Sequence, residues 1–204
     1  MKTLIGTFDL LNRLTGKFED AELYRGLDAR NLSDFEQKWR PLFEERRRRA
    51  RPEESLTANL QDAHWDWTRK AALWGNLLAY EAFTIEADLL TQGLMYVNKT
   101  RLSRVAGQQG APLIYVELLA TAPWNRHGFT ENPKYKGVGQ ILIQAAISLS
   151  IEEEFKGRVG LHSLPQSETW YREILGMIDL GPDPDYQNLK YFEITGEQAE
   201  LLTR

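Results

Sequence analysis

Two apolar strand patterns, over residues 113–120 and 158–164, flank one long apolar helix pattern over 138–155, and this constrains the fold more than any other feature. A strand, a crossover helix and a second strand of the same sheet imply at least one parallel pairing, because a tight hairpin joins only antiparallel strands. The helix carries Ile141, Ala145 and Leu149 on one face with Leu142 and Ala146 on the neighbouring one, so it is expected to lie against a sheet. At its start stands Pro133-Lys134-Tyr135-Lys136-Gly137-Val138-Gly139-Gln140. Glycines let backbone N–H groups approach an anion, the first helical turn adds free N–H groups, and two lysines add positive charge, so the loop reads as a phosphate cradle.

Residues 1–20, interrupted by Gly6 and Gly16, read as an N-terminal extension, and 21–204 as a single domain large enough to bury one core. A short strand is expected over 21–26. Ser33 and Glu36 have capping-box spacing, which predicts a helix through Trp39 that Pro41 interrupts or restarts before the arginine run. A second helix is expected over 56–74, where Leu56, Leu60, His64, Trp67, Ala71 and Trp74 recur at helical spacing. Strand patterns over 82–87 and 93–98 form a hairpin. Residues 121–136 make a loop long enough to be a candidate for function. After Gly157, a plausible helix cap, come a strand over 158–164, a helix over 167–175, an apolar stretch over 177–180, a turn at 181–184 and a strand over 189–194.

The net charge of −4 provides no broad basic field, which disfavours a nucleic-acid or membrane partner. Arg46-Arg47-Arg48-Arg49, flanked by Glu44, Glu45, Glu53 and Glu54, reads as a solvated helix end or loop. The chain has no cysteine, which excludes disulfides and a thiolate nucleophile, and no His, Asp and Glu cluster has metal-ligand spacing, so no metal is expected. Its first residues lack a signal-peptide pattern, and a cytoplasmic location is expected. The Walker pattern is absent, and Leu142 occupies the third glycine position of a dinucleotide fingerprint.

The order of motifs resembles the GCN5-related N-acetyltransferase family. In that family a strand ending near a proline leads to an Arg/Gln-x-x-Gly-x-Gly/Ala loop and a helix, which bind the pyrophosphate of acetyl-coenzyme A. Ala120-Thr121-Ala122-Pro123 and Lys134-Tyr135-Lys136-Gly137-Val138-Gly139 are similar, with Lys134 in the place of the arginine or glutamine. Trp170-Tyr171-Arg172-Glu173-Ile174-Leu175-Gly176-Met177 resembles the family's aromatic-Tyr-x-x-x-Leu-Gly-Phe segment, with Met177 for the phenylalanine. Leu164 stands where an asparagine is frequent. The resemblance implies a mixed, mostly antiparallel central sheet with a parallel, splayed strand pair and flanking helices. It also implies acetyl-coenzyme A as co-substrate, held by Leu119, Ala120, Thr121, the segment Lys134, Tyr135, Lys136, Gly137, Val138, Gly139 and Gln140, and Tyr171.

An amine attacks a thioester only when neutral, so a base is required. Glu117 is the first candidate, since alternation puts it on the same strand face as Tyr115 and Leu119; Glu86 on the hairpin is the next. The resemblance assigns Tyr171 as the acid that protonates the departing thiolate. Backbone N–H groups around Leu119 to Thr121 would hold the oxyanion. His162 reads as a strand residue that faces the acceptor or is hydrogen-bonded structurally; His127 is as well explained as a plain loop residue. Trp65, Trp67 and Trp74 read as core or acceptor-site wall, core first. The acceptor stays open among a small amine, a protein amino group and, less favoured, an aminoacyl-tRNA, and homodimer formation is left open. The alternative is a non-catalytic acyl-coenzyme A-binding or interaction module on the same fold.

Overall fold

The computed structural model describes residues 2–49 and 60–202. Its strands are β1 (Thr3–Asn12), β2 (Lys17–Arg25), β3 (Tyr80–Ala87), β4 (Leu90–Leu102), β5 (Pro112–Thr121), β6 (Tyr135–Lys136), β7 (Val159–Ser163), β8 (Ile178–Asp183) and β9 (Leu189–Ile194). Its helices are α1 (Ala29–Asp34), α2 (Arg40–Arg49), α3 (Trp67–Trp74), α4 (Val138–Glu152) and α5 (Gly196–Leu202). The strands form one sheet in the order β6-β1-β2-β3-β4-β5-β7-β9-β8. The sheet is mostly antiparallel, and β5 pairs in parallel with β7, as the crossover through α4 requires. That parallel register runs from Ile114↔Val159 to Val116↔Leu161 and stops there, although β5 continues to Thr121.

The chain forms two compact units, Met1–Met95 with Leu119–Leu142, and Tyr96–Leu118 with Ile143–Arg204. In the first, residues expected to be an extension make β1 and the start of β2, registered from Thr3↔Arg25 to Asn12↔Lys17. Burial of Leu10, Ala21 and Leu23 holds the hairpin to the core, and Gly16 supplies the left-handed backbone (φ 69°) of its turn. Both glycines obscure the alternation by which such strands are read. Asn12 accepts the Leu14 N–H at 2.9 Å and the Thr15 N–H at 3.3 Å, closing the same turn.

Two helix expectations need correction. The first helix starts at Ala29, not near Ser33: Asp28 accepts the Arg30 and Asn31 N–H groups, and Asn31 returns a bond to the Asp28 N–H. Pro41 does not interrupt the chain's helical path; it stands second in α2, which starts afresh at Arg40. The turn before the proline widens into a π-helical turn over Phe35–Trp39, with the Arg40 N–H reaching Phe35 O, which accommodates the donor that Pro41 lacks. The second helix is shorter than its periodicity suggests. Only Trp67–Trp74 is helical, because the Asp66 side chain accepts the Arg69 N–H and starts it there; Leu60 and His64 lie in turns before it, and Leu56 lies outside the described residues.

The second unit centres on β7, β9 and β8. Gly160 sits where a Cβ would stand 2.5 Å from Tyr191 Oη, so its backbone is the floor of an aromatic cluster. Of the turn expected at 181–184, Gly181 to Asp183 fall inside β8, which has a register shift between Asp179 and Pro182, and Pro184 opens a 3₁₀ turn. Pro182 is tolerated because β8 is the last strand of the sheet and owes no bond on its outer side. The helix expected over 167–175 is continuous from 165 to 174, starting as a 3₁₀ turn over Pro165–Ser167 and widening into a π-helical turn over Trp170–Ile174. No helix among the described residues is long and apolar enough to cross a membrane.

Candidate active site

The loop expected to cradle a phosphate lies at the start of α4, within the first unit. β6 joins the free edge of β1 through Leu11↔Lys136 and Asn12↔Tyr135, and Arg13 N–H donates to Lys134 O at 2.8 Å. Tyr135 is buried and donates from Oη to Glu19 Oε2 at 2.5 Å, while Asn12 Nδ2 donates to Glu19 Oε1 at 2.7 Å. These two bonds hold the Glu19 carboxyl below its ordinary range. Gly137 then adopts φ 105°, a left-handed conformation that turns the chain from strand into helix. Ile141 N–H reaches Gly137 O at 3.0 Å, so the N–H groups of Val138, Gly139 and Gln140 precede the helical ladder and carry its positive dipole end.

The two lysines do different things. Lys134 Nζ pairs with Asp88 Oδ2 at 2.6 Å and lies 4.8 Å from the Tyr135 ring centroid, so its charge is already engaged. Lys136 is exposed and pairs with no carboxylate among the described residues. It is the cation the cradle can offer. Val138 and Ala120 are buried, Leu119 and Thr121 half-buried, and Gln140 exposed. The end of β5 and the start of α4 converge on Gly93. A Cβ there would stand 2.7 Å from Val138 Cγ1, 3.0 Å from Leu142 Cδ1 and 3.7 Å from Ala120 O.

The long loop over 121–136 is tied down rather than loose. Arg126 Nε donates to Thr121 O at 2.7 Å, and its two terminal nitrogens donate to the Asp62 carboxylate at 2.8 and 2.7 Å. Buried Gln92 accepts from Trp124 Nε1 at 2.8 Å and Asn125 Nδ2 at 3.0 Å, and gives its own amide hydrogen to Ala87 O at 2.9 Å. His127 is exposed, its Nε2 2.8 Å from an Arg13 nitrogen. Trp67 is core, with half-buried Trp65 packed 6.3 Å from it, and Trp74 stacks on Tyr80 at 4.9 Å. Arg46 to Arg49 form the exposed last turn of α2, where cations oppose the helix dipole's negative end. Glu86 is buried among Lys2, Arg30 and Asn31, whose Nδ2 donates at 2.5 Å; those partners account for its charge structurally.

In the second unit Glu117 is half-buried on β5 and accepts from Asn98 Nδ2 at 3.0 Å. Tyr171 occupies the π-helical turn, buried against Phe192 (ring centroids 6.0 Å) and Trp170 (5.0 Å), and its carbonyl accepts the Met177 N–H at 3.0 Å. His162 lies between Tyr115 Oη, 2.7 Å from Nδ1, and Asp183 Oδ2, 2.9 Å from Nε2.

No family model and no curated protein sequence matches the chain. Solved structures do. FeeM, an N-acyl amino acid synthase from uncultured soil microbes, is 12% identical, with 89% of this chain and 93% of that one covered at a TM-score of 0.54. The Aedes aegypti protein named as arylalkylamine N-acetyltransferase 7 is 10% identical, with 96% of each chain covered and the same score of 0.54. A bacterial toxin is 12% identical over 71% of this chain and 80% of that one, at 0.51. The fold is that of the GCN5-related N-acetyltransferases.

Within a GCN5-related N-acetyltransferase fold, the cradle suits a diphosphate. It offers the left-handed Gly137, three leading N–H groups and the exposed Lys136, with no acidic side chain at Lys134 to Gln140. Sequence reading found this loop but missed the residues that seat it: Asn12, Glu19, Gly93 and Gln92. Each acts across a long chain separation, and none carries a local motif.

Proposed function

We propose that this chain is an acyl-coenzyme A-dependent N-acyltransferase that transfers acetyl directly to an amine on a small molecule or protein. The observation that carries the reading is the cradle at Gly137 to Gln140, built on the GCN5-related fold and presenting backbone donors beside a free cation. Acetyl-coenzyme A would supply the activated acyl group as a thioester and the diphosphate that the cradle suits. N–H groups of Gly137 to Gln140 bind and orient, with Lys136 adding charge; Lys134 anchors the loop, since Asp88 holds its side chain and its N–H donates to Trp124 O at 2.8 Å. Glu117 receives the ammonium form of the acceptor and draws off its proton. Tyr171 supplies a proton to the departing sulfur. The synthase and the insect protein, both named for N-acylation, support the reading.

Two measurements test it. Acetyl-coenzyme A at about a hundred times its Kd should stabilise the chain by about 2.7 kcal/mol in thermal unfolding. Release of free thiol across a panel of amines should follow, and Tyr171→Phe should slow it by about 10² or more while leaving the stabilisation intact. Absence of any stabilisation sinks the proposal; stabilisation without thiol release leaves an acyl-coenzyme A-binding module instead.

A further inference from the structure

The second unit contains a chain of hydrogen bonds that these roles leave unused. Tyr115 Oη lies 2.7 Å from His162 Nδ1, and His162 Nε2 lies 2.9 Å from Asp183 Oδ2. An ionised carboxylate only accepts, so Nε2 carries the ring hydrogen, Nδ1 holds the lone pair, and the Tyr115 hydroxyl donates to it. The ring cannot swing away. Tyr186 stacks on it at 3.9 Å and 6°, and the Tyr191 ring lies 4.7 Å off.

The charges around the ring are set as a proton acceptor requires. Burial pushes the His162 pKa down, so the imidazole is neutral at pH 7. Hydrogen bonds from Arg104, at 2.5 Å, and from His162 hold the Asp183 carboxyl down to about 2, so it stays an anion beside the ring. Arg101 of β4 lies 5.4 Å from the Tyr115 ring and 5.9 Å from that of Tyr186. Glu193 of β9 accepts from Ser103 Oγ and the Arg104 N–H, each at 2.6 Å. Glu117 stands two residues along β5 from Tyr115 and acts electrostatically on it. At the far end, Asp183, Arg104 and Tyr191 line a cavity of about 330 Å³ with residues 180–182 and Pro184, and Arg104 is half-exposed there.

We infer that Tyr115, His162 and Asp183 form a proton relay that carries the acceptor's proton from the Glu117 face of β5 to the cavity beside Asp183. The inference rests on the acyl-transfer reading. An N–H bond of the ammonium breaks as Glu117 takes its hydrogen, while the electron pair stays on nitrogen and makes it nucleophilic; Glu117 then gives that hydrogen to Tyr115 Oη. The hydrogen of Tyr115 passes to His162 Nδ1, and the imidazolium is balanced by Asp183. The Nε2–H bond then breaks toward Asp183, which releases that proton to solvent through the cavity and leaves the hydrogen on Nδ1; once the product has left, Nε2 takes a proton back through Asp183 and Nδ1 returns its own through Tyr115 Oη, which restores the starting tautomer. Glu117 meets the acceptor; Tyr115, His162 and Asp183 act through it.

The test uses the full chain with acetyl-coenzyme A and, as acceptors, phenethylamine, spermidine, leucine and water. Nitrogen NMR of histidine-labelled protein should show His162 neutral at pH 7 with hydrogen on Nε2, and Tyr115→Phe should move the Nδ1 resonance alone. Thiol release in the wild type should rise with pH to a plateau. Tyr115→Phe, His162→Gln and Asp183→Asn should lower that plateau about a hundredfold or more, with stabilisation by acetyl-coenzyme A unchanged. The relay is overturned if Nδ1 carries the hydrogen, if Tyr115→Phe keeps the wild-type profile, or if the wild type binds acetyl-coenzyme A but turns over none of the four acceptors. Failure of acetyl-coenzyme A to stabilise the wild type overturns the acyl-transfer reading itself, a separate result.

Discussion

Two glycines separate the geometric needs of the cradle. Gly137 is required for its backbone: at φ 105° a side chain is strained, although the nearest neighbour of an added Cβ is Leu10 Cδ2 at an ordinary 3.6 Å. Gly137→Ala should therefore cost about 1–2 kcal/mol of stability and lower the thermal stabilisation by acetyl-coenzyme A. Gly107→Ala, with a similar φ of 85° and open space around it, should cost stability without touching that increment. Gly93 is required for its missing side chain. Gly93→Val would overlap Val138 and Leu142 and push α4 off the sheet, with an expected loss of about 1–3 kcal/mol in urea unfolding and weaker cofactor binding. The measurement that decides between the two mechanisms is Gly93→Ala, which should behave as a milder Gly93→Val.

Elements are held to one another through single polar side chains, and their removal should be felt beyond the local turn. Asn12 closes the β1–β2 turn and also fixes Glu19, which holds Tyr135 before the cradle. Asn12→Ala should cost about 1–3 kcal/mol, since buried polar groups lose their partner, and should reduce acetyl-coenzyme A affinity from a distance in sequence of more than a hundred residues. Arg126 is the corresponding clamp on the loop over 121–136, spanning Thr121 O and the buried Asp62. Arg126→Ala removes one partner of a buried ion pair, with an expected cost on the order of 3 kcal/mol, and limited proteolysis should then cut within that loop first. Arg126→Lys should recover little of it, because an ammonium cannot make the bidentate bond.

At the scale of the whole molecule, the folded state should weaken in acid in two stages. His162 has a folded pKa below its ordinary 6.5, so the unfolded chain binds its proton first and stability falls as pH drops below about 6.5. Asp183, held down to about 2 from 3.8, adds a second loss between about pH 4 and pH 2. Urea midpoints measured across pH should show both, and His162→Gln should abolish the first and, by removing a donor to Asp183, reduce the second. Much of this architecture was legible in the chain itself. The strand, glycine loop, helix and strand around α4, the hairpin of β3 and β4, and β9 to the residue are all local patterns, where period 2 or 3.6 and a glycine act within a few residues. The first helix was misread because Asp28 caps it earlier and a π-helical turn absorbs Pro41, and β1 was missed because Gly6 breaks its alternation with a register shift. What the sequence by itself determined is the crossover and the donors of the cradle, which are properties of contiguous backbone. Only the tertiary structure decided that Lys134 is spent on Asp88 while Lys136 is free, that Glu86 is enclosed by partners, and that Tyr115, His162 and Asp183 line up. Those outcomes depend on which side chains meet across long separations, and a hydrogen bond or ion pair of that kind leaves no periodic trace in the chain that makes it.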